Sequence, residues 1–465
     1  MTDRSARALD TADLGTRHFR RTFAGVVVCL LVLVALFAAI GANQGPKLSS
    51  AQVDTDGVVS QSGQQLRLFA NQAVAAVSDD QVEITPAAPV TVNSSGDTIA
   101  VQFDQPLRYN TEYSVSVTGV TSQYVDTPST LEYTFRTGSP DLYYLDRGPD
   151  TDQVVRTGIN ETERTVVYSA PRIQDFAVFD GLVAVVTTLD TGLSALSLVN
   201  ADGDVESVAL PGAGTIDLMR GNAATGMLGF TFTGAEPTPE RTYFDTLFTV
   251  DLNTTRLLNP VLGLDGQALE VLEWAFVPSS TRLIAQNSDQ SLLSVDTAED
   301  GTALPLGQYV EFDSVSIDGA TAVVADPFGP LALSLADGTT RRLDPSPLDG
   351  ATPFGGTAQV LADGSWLQQV AFFDETSGRF QSLVVVDDGE QSRALFRTLN
   401  DAGSIERFTV SPNGQYAVIE TVPDVSVGVS DGYTINGRST SITTVFVDLE
   451  SGAVVKSVEG FEVNW

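Results

Sequence analysis

From Glu406 to Val422 the chain reads ERFTVSPNGQYAVIETV, two runs of alternating apolar and polar residues that meet at Asn413-Gly414. Alternation with a period of two marks a strand with one buried face. Asn-Gly readily takes the positive φ angles that a tight hairpin needs. The arrangement recurs at Gln174 to Thr188, Glu311 to Asp326 and Gly356 to Phe372, and in weaker form at Ile216 to Phe232 and Glu273 to Gln286. Aligned on their turns, Gly181, Gly226, Ser280, Gly319, Gly364 and Gly414 lie 45, 54, 39, 45 and 50 residues apart. A period in that range predicts small β-sheets stacked about an axis.

The cycle predicts four strands per unit from Asp141 onward. Its third strands resemble one another: LFTVDLNT, LLSVDTAED, LALSLADG, SLVVVDDG and TVFVDLESG. The first unit holds only three strands, DLYYLDRG, DQVVRTGIN and ERTVVYSAP, while the final GFEVNW has the look of an innermost strand such as ERFTV. The C-terminus is therefore expected to complete the first unit, giving seven blades over 141–465 and no exposed sheet edges at the seam. The pattern resembles WD-type and related bacterial β-propellers, with Ser411 to Gly414 nearest to their usual Ser-Pro-Asp-Gly hairpin. The WD dipeptide and the sialidase Asp-box are absent.

Ahead of the Ser139-Pro140 boundary, residues 64–138 carry short alternating runs at LRLFA, VEITPAAPVTVN, TIAVQFD, EYSVSVTGV and LEYTFRTG, which predict a β-sandwich. Val82 to Pro86, Gln102 to Val120 and Tyr133 to Gly138 resemble the bacterial Ig-like domains of S-layer-type (SbsA-like) surface proteins. The shared features are a Leu-x-x-x-Thr-x-Tyr step into a Val-rich strand and a closing Phe-x-Thr strand. That resemblance implies a spacer or adhesion module without an active site.

Residues 1–22 are polar and end in an arginine cluster, expected to form a cytoplasmic tail. Residues 23–42, FAGVVVCLLVLVALFAAIGA, form a stretch of 20 without a charge. As a helix this is about 30 Å long, enough for a bilayer core, and the arginines before it orient the N-terminus to the cytoplasm. The rival is a cleaved signal peptide, with Ala39 and Gly41, or Ile40 and Ala42, as its small residues; a signal core of about 7–15 residues is shorter than this run. Residues 43–63 read as a polar linker. The whole is an all-β chain: Ig-like β-sandwich plus seven-bladed β-propeller closed by the C-terminal strand, with one N-terminal transmembrane helix.

Composition narrows the chemistry. The net charge of −34 repels phosphate backbones, so nucleic acid is excluded as a partner. The one His and one Cys, His18 and Cys29, both precede the large domains. Ser-His-Asp and Cys-His nucleophiles, disulfides, His-ligated zinc and haem are thereby excluded from residues 64–465. Two Lys against 23 Arg, with abundant Ala, Val, Asp and Gly, point to a GC-rich bacterial genome.

What remains is a possible ring of turn acids, Asp180, Asp318 and Asp363 with Asn413, which would suit Ca²⁺. The plainer reading is that a tight hairpin simply demands Asp or Asn there. VDTAEDG and VVVDDGEQ look similar but lack the EF-hand spacing. Trp274, Trp366 and Trp465 are expected to fill the core between blades. The loops Glu236 to Asp245 and Tyr433 to Val445 are the expected contact surfaces. No catalytic, cofactor or metal residue is singled out. The expectation is an extracytoplasmic, membrane-anchored, non-catalytic scaffold that recognises an envelope protein or glycan. The alternatives are a His-independent glycosidase or lyase working through carboxylates, and a structural surface spacer.

Overall fold

The computed structural model describes residues 19–34, 44–236, 242–298, 301–374, 378–398 and 402–465. Residues 19–34 are helical. The remainder of the apolar run, 35–42, and most of the tail, 1–18, lie outside the described residues. No described helix is long and apolar enough to cross a membrane. From Gln44 onward the chain divides into two units.

The smaller unit takes in the chain up to Asp54, Gly63–Asp104 and Glu112–Arg136. One sheet has the order Leu48–Gln52, Gln65–Ala70, Thr98–Phe103, Val90–Ser95; the other runs Val82–Thr85, Glu112–Val120, Ser129–Arg136. Their inward residues form the core, among them Leu66, Leu68, Ile99, Val101, Phe103, Val115, Val117 and Leu131. Phe103 of the first sheet meets Phe135 of the second at 6.2 Å between ring centroids. Within the polar stretch 44–63, LSSAQ forms a first strand paired with Gln65–Ala70, and Gly57–Ser60 is a short helix that buries Val58 and Val59.

The larger unit comprises Thr55–Ser62, Gln105–Thr111 and Thr137–Trp465. Among the described residues it contains seven four-stranded antiparallel sheets, the blades of a β-propeller. Blade 1 pairs Asp141–Arg147, Asp152–Gly158 and Thr165–Ala170 with Phe461–Asn464, which lies innermost. Blades 2 to 7 begin with innermost strands Ile173–Phe179, Gly214–Asn222, Val271–Phe276, Glu311–Val315, Phe354–Val360 and Ser404–Val410. The seam is antiparallel, with Phe461 opposite Leu145 and Asn464 opposite Tyr143. Gln105–Thr111, sequence that reads as sandwich, packs with this unit because Tyr109 stacks on Trp465 (5.7 Å) and Tyr416 (6.0 Å). The Tyr109 N–H also donates to Gln415 Oε1 at 2.8 Å.

Hydrophobic clusters fill the gaps between neighbouring blades. Phe230, Phe232 and Phe248 lie with blade 2 residues, and Trp274 bridges blades 3 and 4. Trp366 fills the gap between blades 5 and 6. Gly229 is glycine for want of room, since a Cβ there would run into the Trp274 ring. The turn glycines Gly181, Gly226, Gly319, Gly364 and Gly414 all have positive φ. In blade 4 that conformation falls on Ser279 (φ 53°) rather than on the aligned Ser280.

Phe461 is 1% exposed and belongs to the cluster joining blades 1 and 2. Phe461→Ala should therefore cost about 3–5 kcal/mol in denaturant unfolding of the larger unit. A loss below about 1 kcal/mol would mean that the seam does not hold the ring.

Candidate functional site

In every blade the innermost strand slips register against its neighbour at one place. The slips fall between Ile173 and Asp175, Asp217 and Arg220, Val271 and Glu273, Phe312 and Ser314, Gly355 and Ala358, Ile405 and Arg407, and Phe461 and Asn464. A β-bulge inserts an extra residue, re-aims a side chain and leaves a backbone group without its ladder partner. At these slips stand Asp175, Asp217, Glu273, Asp313, Arg407 and Glu462, one from each blade except the sixth, where Gly355 and Gly356 occur. All six line a single central cavity of about 570 Å³, together with Arg220, Glu420, Asn436 and Arg438. Leu218 (φ 48°) and Glu462 (φ 54°) are left-handed at their bulges, a conformation that costs a non-glycine residue roughly 1–2 kcal/mol.

Neighbouring blades supply the partners that the bulges lack. Ile173 N–H donates to Asp152 Oδ2 (2.8 Å), Ile216 N–H to Ser194 Oγ (3.0 Å) and Phe312 N–H to Gln286 Oε1 (3.1 Å). Ala358 N–H donates to Asp313 Oδ2 (2.9 Å) and Glu462 N–H to Glu420 Oε1 (2.7 Å). Between blades 3 and 4, Trp274 Nε1–H donates to the Leu218 carbonyl at 3.0 Å, and Arg220 pairs with Glu273 at 2.5 Å. Gln369 Nε2–H reaches the Ile405 carbonyl at 3.5 Å between blades 6 and 7. Asp152, Ser194, Gln286 and Glu420 are buried, so removing any of them would orphan a buried N–H at about 1–3 kcal/mol.

The cavity's charges are mutually conditioned. Burial pushes the Asp175 carboxyl well above the usual range, helped by the adjacent Glu462 carboxylate. Glu462 accepts from the Asn436 side-chain amide and pairs with Arg438 at 3.9 Å. Burial likewise raises Glu420 and Asp217, and pushes Asp313 up to about 6. Burial lowers Arg220, against the opposing pull of Glu273. Arg407 is accessible to the cavity and stands among Glu420, Glu462, Asp175 and Glu273. Among the described residues it makes no side-chain ion pair within 4 Å.

The residues singled out by motif fall elsewhere. Asp318 accepts from Ser316 Oγ (2.5 Å) and Ala320 N–H (3.0 Å), and Asp363 from Ser365 N–H (3.0 Å) and Oγ (2.6 Å). Asn413 accepts from Gln415 N–H at 3.1 Å, while Asp180 is exposed. Asp318, Asp363 and Asn413 close their own turns, and Asn413 Nδ2–H also donates to the Leu107 carbonyl at 2.9 Å. Asp296 accepts from Ala298 N–H and Asp388 from Gln391 N–H in the same manner; residues 299–300 of the VDTAEDG string lie outside the described residues. Among the described residues no group of three His, Cys, Asp or Glu side chains is placed to hold a metal ion. Trp274 and Trp366 are buried in the core, whereas Trp465 is half-buried against Tyr109.

The loop leading into Val445 is fastened to the neighbouring blades. Arg147, 5% exposed, pairs with Asp431 at 2.5 Å and donates to the Asn436 (2.8 Å), Gln174 (2.8 Å) and Ile173 (3.1 Å) carbonyls. Its guanidinium lies 3.6 Å from the Tyr433 ring centroid and 4.8 Å from that of Phe461. The Tyr433 hydroxyl donates to Asp152. The loop is thus nailed to blades 1 and 2, and this delivers Asn436 and Arg438 to the cavity wall. Its outward part is apolar, with Val425, Val427 and Val429 exposed. In the other loop Asp245 is tied to Thr233 and Phe244 is exposed, while 237–241 lie outside the described residues.

No family model and no curated protein matches the chain. Among solved structures it is similar to dihydro-heme d1 dehydrogenase NirN (12% identity, 70% of this chain and 74% of that one, TM-score 0.39). It is also similar to the Myceliophteria thermophila Cps50 (Swd1) β-propeller domain (11%, 63% and 88%, TM-score 0.38). A third is Pyrococcus horikoshii acylaminoacyl peptidase (11%, 77% and 51%, TM-score 0.40), of which the chain spans about half. At these scores they assign this chain no activity or ligand.

Asp313 gives a pH signature. With its folded value near 6 and the ordinary value at 3.8, the folded state holds the proton longer than the unfolded chain. Its contribution is therefore favourable below about pH 4 and is lost as pH rises through about 6. Asp313→Asn should gain up to about 3 kcal/mol on the parent between pH 4 and pH 7, read by denaturant unfolding at both pH values. A pH-independent difference would contradict the buried titration.

Proposed function

We propose that the protein is a membrane-anchored, extracytoplasmic recognition scaffold. In this reading residues 23–42 form the anchor, the smaller unit serves as an Ig-like stalk, and the propeller presents a charged central cavity and a rigid loop to an envelope protein or glycan. The observation that carries it is the way the cavity's carboxylates are committed. Asp175, Asp217 and Glu273 accept the N–H of the next residue, Asp313 and Glu420 accept N–H groups across blade junctions, and Glu462 accepts from Asn436. Such groups brace a binding wall, whereas general acids and bases need freedom to exchange protons with substrate.

A second reading is hydrolysis by carboxylates, and Asp313, held up to about 6, is the observation in its favour. Glycosidases separate their two carboxyls by about 5–9.5 Å. The Asp175 and Glu462 carboxyls are instead engaged by the Phe176 N–H and the Asn436 side-chain amide.

The test uses the full chain in detergent, immobilised and exposed to solubilised envelope from its own cell. Specific retention of one protein or glycan, lost on Arg147→Ala with the released loop, is expected. Intact cells treated with protease should lose everything beyond the anchor. Cleavage of envelope sugar, abolished in Asp313→Asn, with no retained partner would overturn the scaffold reading.

A further inference from the structure

The central cavity carries polar atoms without a hydrogen-bond or ion-pair partner among the described residues. Arg407, from blade 7, has no side-chain ion pair among the described residues, although it lines the cavity. Glu420 is 4% exposed, and its Oε2 has no hydrogen-bond partner while Oε1 is held by the Glu462 N–H. Across the ring, blades 3 to 5 contribute Asp217, Glu273 and Asp313. Glu273 is neutralised by Arg220, which leaves Asp217 and Asp313 as the uncompensated acids on that side. Arg407 thus lacks an ion pair among the described residues on one side of the cavity, while Asp217 and Asp313, each held by one backbone N–H, lack a countercharge on the other.

The unmatched oxygen of buried Glu420 is costly unless a partner arrives, and the cavity-exposed Arg407 guanidinium best matches a carboxylate through two parallel hydrogen bonds. We propose that the central cavity binds a small zwitterion of the short-peptide class. The ligand carboxylate sits on Arg407, its ammonium on Asp217 and Asp313, and an amide N–H meets Glu420 Oε2. The volume of about 570 Å³ falls within the usual range of ligand sites, about 300–1,000 Å³. An anion alone would leave Asp217 and Asp313 unpaired, and a simple cation would be repelled by Arg407. A neutral sugar would meet neither charge. This assignment rests on the scaffold reading above and names the chemistry its cavity recognises.

The test is calorimetric titration of the full chain in detergent with Ala-Ala, N-acetyl-Ala-Ala, Ala-Ala amide and maltose. Ala-Ala should bind, and blocking either end should weaken it by about tenfold or more. Arg407→Met should lose a similar factor while the variant still unfolds in one cooperative transition, because the Arg407 side chain makes no ion pair within 4 Å among the described residues. Arg407→Lys should recover part of the binding, which separates lost charge from lost fold. Equal binding of blocked and free peptides, tighter binding of maltose, or unchanged binding in Arg407→Met would overturn the assignment. If no probe binds at millimolar concentration while envelope capture still succeeds, the ligand assignment falls and the scaffold reading stands.

Discussion

The structure depends on one constraint: a backbone N–H withdrawn from water must find an acceptor. Each innermost strand breaks its ladder at a bulge. In blades 1, 2, 3, 5 and 6 the acceptor comes from the blade before, through Glu420, Asp152, Ser194, Gln286 and Asp313 respectively. A defect in each of these sheets thereby becomes a bond between sheets. Hydrophobic burial between the blades supplies most of the cohesion, but apolar packing alone does not fix register. The polar stitches do.

The same device builds the cavity. Because the bulge turns one residue away from the period-two pattern, a charge that belongs on neither sheet face is directed at the axis. Closure follows the same rule, since the last bulge, at Glu462, is satisfied by Glu420 of blade 7. The seam between the ends of the chain is thus also part of the cavity wall. Arg147 extends that coupling, because it anchors the blade 7 loop against Phe461 and so positions Asn436 and Arg438.

Much of the fold was legible in the alternation. The turn glycines and the three-strand first unit announced a cyclic array, and GFEVNW had the pattern its missing strand required. The polar LSSAQ strand and the Gly57–Ser60 helix were illegible because neither is long enough to show a period. Gln105–Thr111 was misread because it sits inside a run that continues the sandwich pattern, while Tyr109 is claimed by Trp465. The cavity residues escaped notice for a sharper reason. In a regular strand Asp175 would share a face with Ile173 and Ala177, both buried, so pattern reading treats it as noise among 59 acids. The recoverable signal was an ionisable residue six or seven positions before the turn, at Asp175, Glu273, Asp313 and Arg407. The turn acids drew attention instead because Asp-Gly is conspicuous, and hairpin geometry accounts for it.

Hydrogen exchange at the Phe312 amide tests the stitching most directly, comparing the parent with Gln286→Met, which removes the acceptor at similar volume. The account predicts slow exchange in the parent, with a large acceleration in the variant confined to Phe312 and its blade. Rapid exchange at Phe312 in the parent, or an unchanged rate in Gln286→Met, would contradict it.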